Sequence, residues 1–217
     1  MITIEGFLSD DSCARIKKEI AKVPFEDGLK TAGVRMAANV KRNLQMDPVK
    51  GQHITDELKT FILNDKRLKE TVYPKDIGRI FINRYDPGME YGIHSDAPMM
   101  GALRTDLSFT LFLEDPSEYD GGDLVMHYSH GTVTAKPPKG AIVLYSTGVM
   151  HRVEKVTRGS RLACVGWIQS FIREESKREI LRELNFVKAN YITRNGHDFL
   201  ADLFLKNVGN LERLWSE

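Results

Sequence analysis

The 217-residue sequence predicts a mainly β core with flanking helices, of the antiparallel sandwich or jelly-roll kind. Two observations carry that prediction. Six short apolar segments, near 79–85, 105–113, 123–128, 141–145, 150–156 and 161–168, are separated by turn residues, and strands at such spacing build sandwiches and barrels. On either side of this centre the apolar residues recur instead with helical period.

At the N-terminal end, Ser9 is a candidate N-cap, with Asp10 and Asp11 in the first turn, where carboxylates suit the positive end of the helix dipole. Cys13, Ile16, Ile20 and Val23 then mark one face, and Pro24 ends the helix. Residues 24–53, punctuated by Gly28, Gly33 and Pro48, read as loops with short strands. Thr55 is expected to cap a second helix, with Leu58, Phe61, Ile62 and Leu68 facing the core.

In the centre, Leu107, Phe109, Leu111 and Leu113 share one face at period two. Tyr119-Asp120-Gly121-Gly122 and Pro137-Pro138-Lys139-Gly140 read as corners, because glycine takes positive φ without steric cost. Beyond Ser170 the pattern is helical again. Ile180, Leu181 and Leu184 mark one helix. Phe199, Leu200, Leu203, Phe204, Val208, Leu211, Leu214 and Trp215 mark a long amphipathic one. That stripe is expected to pack on the domain, with a homo-oligomer contact as the alternative. The division that results is a mixed region over 1–76, a core over 77–170 and C-terminal helices over 171–217.

A formal net charge of +1 offers no field for nucleic acid or an anionic membrane. Cys13 and Cys164, the two cysteines, make no disulfide framework and point to a reducing compartment. Met-Ile-Thr-Ile-Glu lacks the basic and apolar regions of a signal peptide, and no apolar run approaches the ~20 residues of a membrane span. The expected location is the cytoplasm, with no membrane partner.

Chemistry concentrates in Tyr85–Asp96, Y-D-P-G-M-E-Y-G-I-H-S-D. His94 and Asp96 are two apart, so on an extended strand they point the same way and can share one ion. A non-haem Fe(II) oxygenase site takes two histidines and a carboxylate on one side of the metal. Of the remaining histidines, His53 and His197 read as surface positions, and a turn at a strand end accounts for His127 and His130. His151 is different. It opens a strand after the apolar run Ala141–Tyr145, ten positions before Arg161. Alternation from Arg161 places Ala163, Val165 and Trp167 on its face of an otherwise apolar strand. An arginine in that setting suits a buried carboxylate, such as the C5 carboxylate of 2-oxoglutarate, which its planar guanidinium can hold in bidentate fashion.

With these residues in place the chain resembles the Fe(II)/2-oxoglutarate dioxygenases, in particular the PKHD-type hydroxylases of the prolyl/lysyl hydroxylase-like group. The matching stretches are F-I-N-R-Y-D-P-G-M-E-Y-G-I-H-S-D, R-T-D-L-S-F-T-L-F-L, Y-D-G-G-D-L, L-Y-S-T-G-V-M-H-R-V-E-K-V-T-R-G-S-R and W-I-Q-S-F-I-R, with D-G-L-K-T-A-G near the N-terminus. The resemblance implies a double-stranded β-helix and one Fe(II) on His94, Asp96 and His151. It implies 2-oxoglutarate on Arg161, with Tyr85 as a second contact and Trp167 as a pocket wall. The activity implied is hydroxylation of an unactivated C–H, of a peptidyl or amino-acid-like substrate or another small molecule. Dioxygen is consumed, succinate and CO2 are released, and ascorbate keeps the iron reduced.

Two alternatives stand beside it. The nucleic-acid dealkylating branch of the superfamily also carries N-R-Y-D-P-G and H-x-D, but it has a second arginine six positions after the cosubstrate arginine, where this chain has Trp167. A non-catalytic, cupin-like jelly roll would hold a metal in a closed four-ligand site, recruiting His127 or His130. Halogenating relatives replace the metal carboxylate with a small residue; Asp96 keeps hydroxylation in front.

Overall fold

The computed structural model describes residues 1–31 and 40–217, so Gly33 and the end of the D-G-L-K-T-A-G stretch lie outside the described residues. The chain opens with strand β1 (Ile2–Ile4), helix α1 (Asp10–Ile20) and the short strands β2 (Phe25–Asp27), β3 (Lys41–Arg42) and β4 (Leu44–Met46). Helices α2 (Gln52–Asn64) and α3 (Lys66–Val72) follow, then β5 (Pro74–Ile77), β6 (Phe81–Tyr85) and β7 (Glu90–His94). A small hairpin, β8 (Met99–Met100) and β9 (Leu103–Arg104), precedes β10 (Leu107–Phe112), β11 (Leu124–Tyr128) and β12 (Gly131–Ala135). Strands β13 (Ile142–Ser146), β14 (Met150–Val153) and β15 (Arg161–Ser170) complete the core, and α4 (Glu175–Asn195) and α5 (Phe199–Trp215) end the chain.

Two antiparallel sheets result. The larger runs β1-β13-β10-β15-β6-β4-β2, with β5 also paired to β15, and the smaller runs β12-β11-β14-β7-β3. Sequence-distant strands lie side by side in both: β10 between β13 and β15, β14 between β11 and β7.

Alternation divides the larger sheet by face. Leu107, Phe109 and Leu111, with Leu162, Cys164 and Ile168 of β15, enter the main apolar core. Cys13, Ile16 and Ile20 of α1, Ile54, Leu58 and Ile62 of α2, and Leu68 and Val72 of α3 cover them from the other side. The neighbouring strands β10 and β15 leave little room there. A Cβ at Gly166 would stand 2.6 Å from Cζ of Phe109, so only glycine fits between β15 and that ring.

Local chemistry sets the helix boundaries. Ser9 caps α1, its hydroxyl accepting from the Ser12 N–H. Thr55 does not cap α2. The helix starts earlier, after Gly51, where Asp47 accepts from the N–H groups of Val49 and Lys50 in a tight turn, and the Thr55 hydroxyl donates back to Gln52 O. Leu68 belongs to a separate helix, because Asp65 ends α2 and its carboxylate caps α3 at Leu68 N–H. Residues 24–27 and 41–46, which carry no readable period, supply three short strands to the sheets. In the C-terminal hairpin, Val208 is buried against Ile172 and Leu181, with Leu211 and Trp215 beside them. Phe199 and Leu214 of the same stripe are 74% and 76% exposed, so only part of it packs on the domain. No helix among the described residues is long and apolar enough to cross a membrane.

Candidate active site

The face of the larger sheet turned away from the helices lines, together with the smaller sheet, a cavity of about 680 Å³. β10 contributes Ser108 and Thr110; β15 contributes Arg161, Val165 and Trp167; β6 contributes Phe81, Asn83 and Tyr85. These alternate along each strand with the residues on its opposite face. From the smaller sheet come His94, Tyr91, His151, Val153 and Leu124.

His94 and His151 face each other as register partners of β7 and β14, with ring centroids 4.2 Å apart. Asp96 lies two residues past His94, outside β7, so strand alternation is not what positions it. A side chain from the other sheet does that: Ser108 Oγ donates to Asp96 Oδ2 at 2.7 Å. Asp96 Oδ1 is 3.8 Å from His94 Nε2, and Oδ2 is 3.7 Å from His151 Nε2. One ligand atom from each of the three residues falls within 4.8 Å of the others.

The imidazoles are prepared for coordination. The Nδ1–H of His94 donates to Gly92 O at 2.8 Å, and that of His151 to Val149 O at 2.9 Å. A carbonyl partner at Nδ1 fixes the tautomer and leaves the Nε2 lone pair directed at the ion site. Burial, together with the neighbouring His151, pushes the His94 imidazole down to about 4, so it is neutral near pH 7. Tyr91 stacks on that ring at 3.7 Å between centroids, nearly parallel at 14°. Two histidines and one carboxylate, three donors in all, suit a divalent iron that keeps positions open for other ligands.

Arg161 lies deeper and is 1% exposed. It is the register partner of Tyr85, and its guanidinium sits between the Tyr85 and Phe112 rings at 5.4 and 5.0 Å. Its Nε and Nη2 are buried without a hydrogen-bond partner. Those two atoms form one edge of the guanidinium, the edge that grips a carboxylate with two parallel hydrogen bonds. Burial raises the Tyr85 phenol to about 12, which keeps it protonated and able to donate. A dicarboxylate with one end at Arg161 and the other at the three-donor cluster fits this chemistry.

The six predicted site residues, His94, Asp96, His151, Arg161, Tyr85 and Trp167, therefore line one cavity. Trp167 stands six residues along β15 from Arg161, with its ring edge-on to Phe81 at 5.9 Å. His127 and His130 stand apart. His127 Nε2 meets Arg152 Nη1 at 2.6 Å, and His130 stacks on Tyr128. Sequence reasoning missed Ser108, Tyr91 and Lys41. Ser108 was legible as the polar complement of the Leu107–Phe109–Leu111 face, and Tyr91 as an aromatic three residues before His94. Lys41, 6% exposed on two-residue β3, left no signal in the sequence, yet lines the cavity with its ammonium lowered to about 8 by desolvation, against the pull of Asp27 and Asp96.

Comparison with known proteins settles the family. The pattern of the 2OG-Fe(II) oxygenase superfamily matches residues 80–169. A PKHD-type hydroxylase of Synechococcus elongatus is 38% identical over 223 residues, spanning 100% of both chains. Another, from Maricaulis maris, is 38% identical across 100% of this chain and 99% of its own. The chain belongs to the PKHD-type hydroxylases. This PKHD-type hydroxylase is thus an Fe(II)- and 2-oxoglutarate-dependent oxygenase that uses O2. Among solved structures it shares its fold with a Pseudomonas putida prolyl-4-hydroxylase, at 21% identity and TM-score 0.55 over 78% of this chain and 91% of that one. HygX from Streptomyces hygroscopicus, solved with nickel, 2-oxoglutarate and hygromycin B bound, gives TM-score 0.55 at 14% identity, over 78% and 82% of the two chains. Both likenesses place the two sheets as a double-stranded β-helix.

Proposed function

We propose that this enzyme hydroxylates an unactivated C–H of a peptidyl or amino-acid-like substrate, with Fe(II) held by His94, Asp96 and His151 and the C5 carboxylate of 2-oxoglutarate held by Arg161. The observation that carries this reading is the buried guanidinium edge of Arg161 with no hydrogen-bond partner among the described residues. A charge in that state is costly, and a ligand carboxylate offsets the cost. When bound, the iron supplies the oxidising chemistry, and 2-oxoglutarate leaves as succinate and CO2.

The chain's own residues orient and enclose. Ser108 holds the Asp96 carboxylate toward the ion site, while Gly92 O and Val149 O fix the two imidazoles. Tyr85 donates to the cosubstrate as a second contact, and Trp167 walls the pocket. Ascorbate serves to restore reduced iron between turnovers. The core over 77–170 carries the chemistry, with 1–76 and 171–217 as additions. Cys13 and Cys164 are free, buried thiols, which supports the cytoplasm as location.

Trp167, in place of a second arginine, speaks against nucleic-acid dealkylation. A non-catalytic role would leave the Arg161 edge unexplained. Anaerobic titration of the Fe(II) protein with 2-oxoglutarate tests the reading: a metal-to-ligand charge-transfer band is expected, and it should vanish in Asp96→Ala together with succinate formation. A variant lacking Asp96 that still turns over 2-oxoglutarate at the wild-type rate refutes the assignment.

A further inference from the structure

Charge is unevenly supplied to the catalytic cavity. Among the described residues that line it, Lys41, Arg79 and Arg161 are cationic and Asp96 is the one acid. Residues 32–39, outside the described residues, contain neither Asp nor Glu, so that stretch has no carboxylate to offset the excess. Loading the site does not remove it. Fe(II) is matched in charge by Asp96 and one carboxylate of 2-oxoglutarate, and the other carboxylate is matched by Arg161. The charges of Lys41 and Arg79 are left to face the molecule that is to be oxidised.

The two are not equivalent. Arg79 is exposed, with its guanidinium 5.4 Å from the Phe81 ring centroid, and solvent screens a charge so placed. Lys41 is 6% exposed. It is the register partner of Tyr91, its ammonium lies 5.6 Å from the Tyr91 ring centroid, and that ring is stacked on His94. One aromatic ring thus separates a buried ammonium from a metal ligand. Two carboxylates attract it, those of Asp27 and Asp96. Asp27 is exposed and accepts from Leu29 N–H, while Asp96 accepts from Ser108 and faces the ion site. Burial of an ammonium costs solvation, which an anionic ligand in the same cavity offsets.

A second donor in the cavity points the same way. Trp167 Nε1 is buried without a hydrogen-bond partner among the described residues, and an indole N–H can only donate. Trp167 is the register partner of Ser108, the residue that holds Asp96. Asn83, whose Oδ1 is likewise buried without a partner, carries an amide able to offer either its oxygen or its NH2 group.

We infer that Lys41 is a specificity-determining residue, and that the molecule oxidised carries a carboxylate, close to the C–H attacked, which the Lys41 ammonium binds. The inference rests on the oxygenase reading above and deepens it by fixing the charge of the substrate. An anion brings the loaded cavity toward neutrality. A cation, such as a lysine side chain, adds to the excess and is rejected. A carboxylate at the end of a main chain and one on a side chain offer the same group, so the test separates them.

The test uses whole enzyme loaded with Mn(II) and saturating 2-oxoglutarate, with binding read by isothermal titration calorimetry. N-acetyl-L-leucine presents a main-chain carboxylate, and the 1-amide of N-acetyl-L-glutamic acid presents a side-chain one. N-acetyl-L-leucinamide and the amide of N-acetyl-L-glutamine are their neutral counterparts, and N-acetyl-L-lysinamide is the cation. At least one carboxylate should bind at least tenfold more tightly than its neutral counterpart, and the cation should not bind. Lys41→Met should abolish the preference, and Lys41→Arg should keep part of it, a rescue that a merely structural lysine would not show. The inference is overturned, with the oxygenase reading intact, if the carboxylates bind no better than the amides or no better than the cation. It is overturned equally if Lys41→Met keeps the preference. An equal loss of 2-oxoglutarate affinity in that variant would move the contact to the cosubstrate and overturn it too. Failure of wild type to bind 2-oxoglutarate at all would remove both readings.

Discussion

Replacing Arg161 with methionine should move stability and cosubstrate binding in opposite directions. The guanidinium is 1% exposed, and its Nε–Nη2 edge has no hydrogen-bond partner among the described residues. Exchange of buried ionic groups for apolar ones of similar volume is neutral or stabilising by about 1–4 kcal/mol. In a chain of this size each kilocalorie shifts the midpoint by about 2–4 °C, so the ligand-free Arg161→Met protein should melt at or above the wild-type temperature. With 2-oxoglutarate the order reverses. The C5 carboxylate then enters the cavity with no charge partner, at a cost of about 3–5 kcal/mol, which weakens binding by roughly 10²- to 10³-fold or more. Thermal unfolding with Mn(II) in place of iron, with and without 2-oxoglutarate, reads both effects. Wild type should gain about 2.7 kcal/mol at a hundredfold excess over its Kd, and the variant almost nothing at that concentration. Equal stabilisation of the two proteins by 2-oxoglutarate would refute the reasoning, and so would a ligand-free variant that melts far below wild type.

Three further outcomes follow from other parts of the structure. Ser108→Ala removes the hydrogen bond that positions Asp96, and loss of such an outer partner should weaken metal binding by about 10- to 100-fold; Mn(II) titration followed by electron paramagnetic resonance checks this, and unchanged affinity would show that the carboxylate needs no support. Gly166→Ala drives a methyl group against Phe109, and overpacking of this kind costs about 1–3 kcal/mol, visible in chemical denaturation as a lower midpoint at constant slope. Lys41 titrates near 8 in the folded protein and near 10.4 in an unfolded chain. Between those values the unfolded state binds more protons, so stability rises with pH there, while below about 8 the full penalty of about 3 kcal/mol persists. Lys41→Met should therefore be more stable than wild type at pH 7, with the difference shrinking toward pH 10; a difference independent of pH would contradict the burial cost.

The sequence revealed the core because its strands carry period-two patterns long enough to read. Six apolar segments became β6, β10, β11, β13, β14 and β15. The alternation from Arg161 through Trp167 put both residues in the cavity wall. Where strands are only two or three residues long, as in β2, β3 and β4, no period exists to be seen, and Lys41 was hidden for that reason. The convergence of Asp96 with His94 was expected from strand geometry but comes about differently. Asp96 lies past the strand end and is held by Ser108 from the opposite sheet, a contact between residues twelve apart that no local pattern encodes. The stripe on α5 was read as one packed face, but a period shows only that residues share a face, not how far their neighbours extend. Phe199 and Leu214 stay exposed although they share the stripe.

The position of β15 governs how this chain can come to fold during synthesis. It is the last strand in the sequence, yet it lies between β10 and β6 in the middle of the larger sheet and also pairs with β5. Until residue 170 has left the ribosome, β10 and β6 have no partner between them, and the helices at the N-terminus have only half a sheet to cover. Contacts of such sequence separation form slowly, and unpaired strand edges are prone to aggregation. A nascent chain of this enzyme should stay protease-sensitive and dependent on chaperones until its final strand emerges, then close in one cooperative step that completes the sheet and creates the Arg161 pocket together.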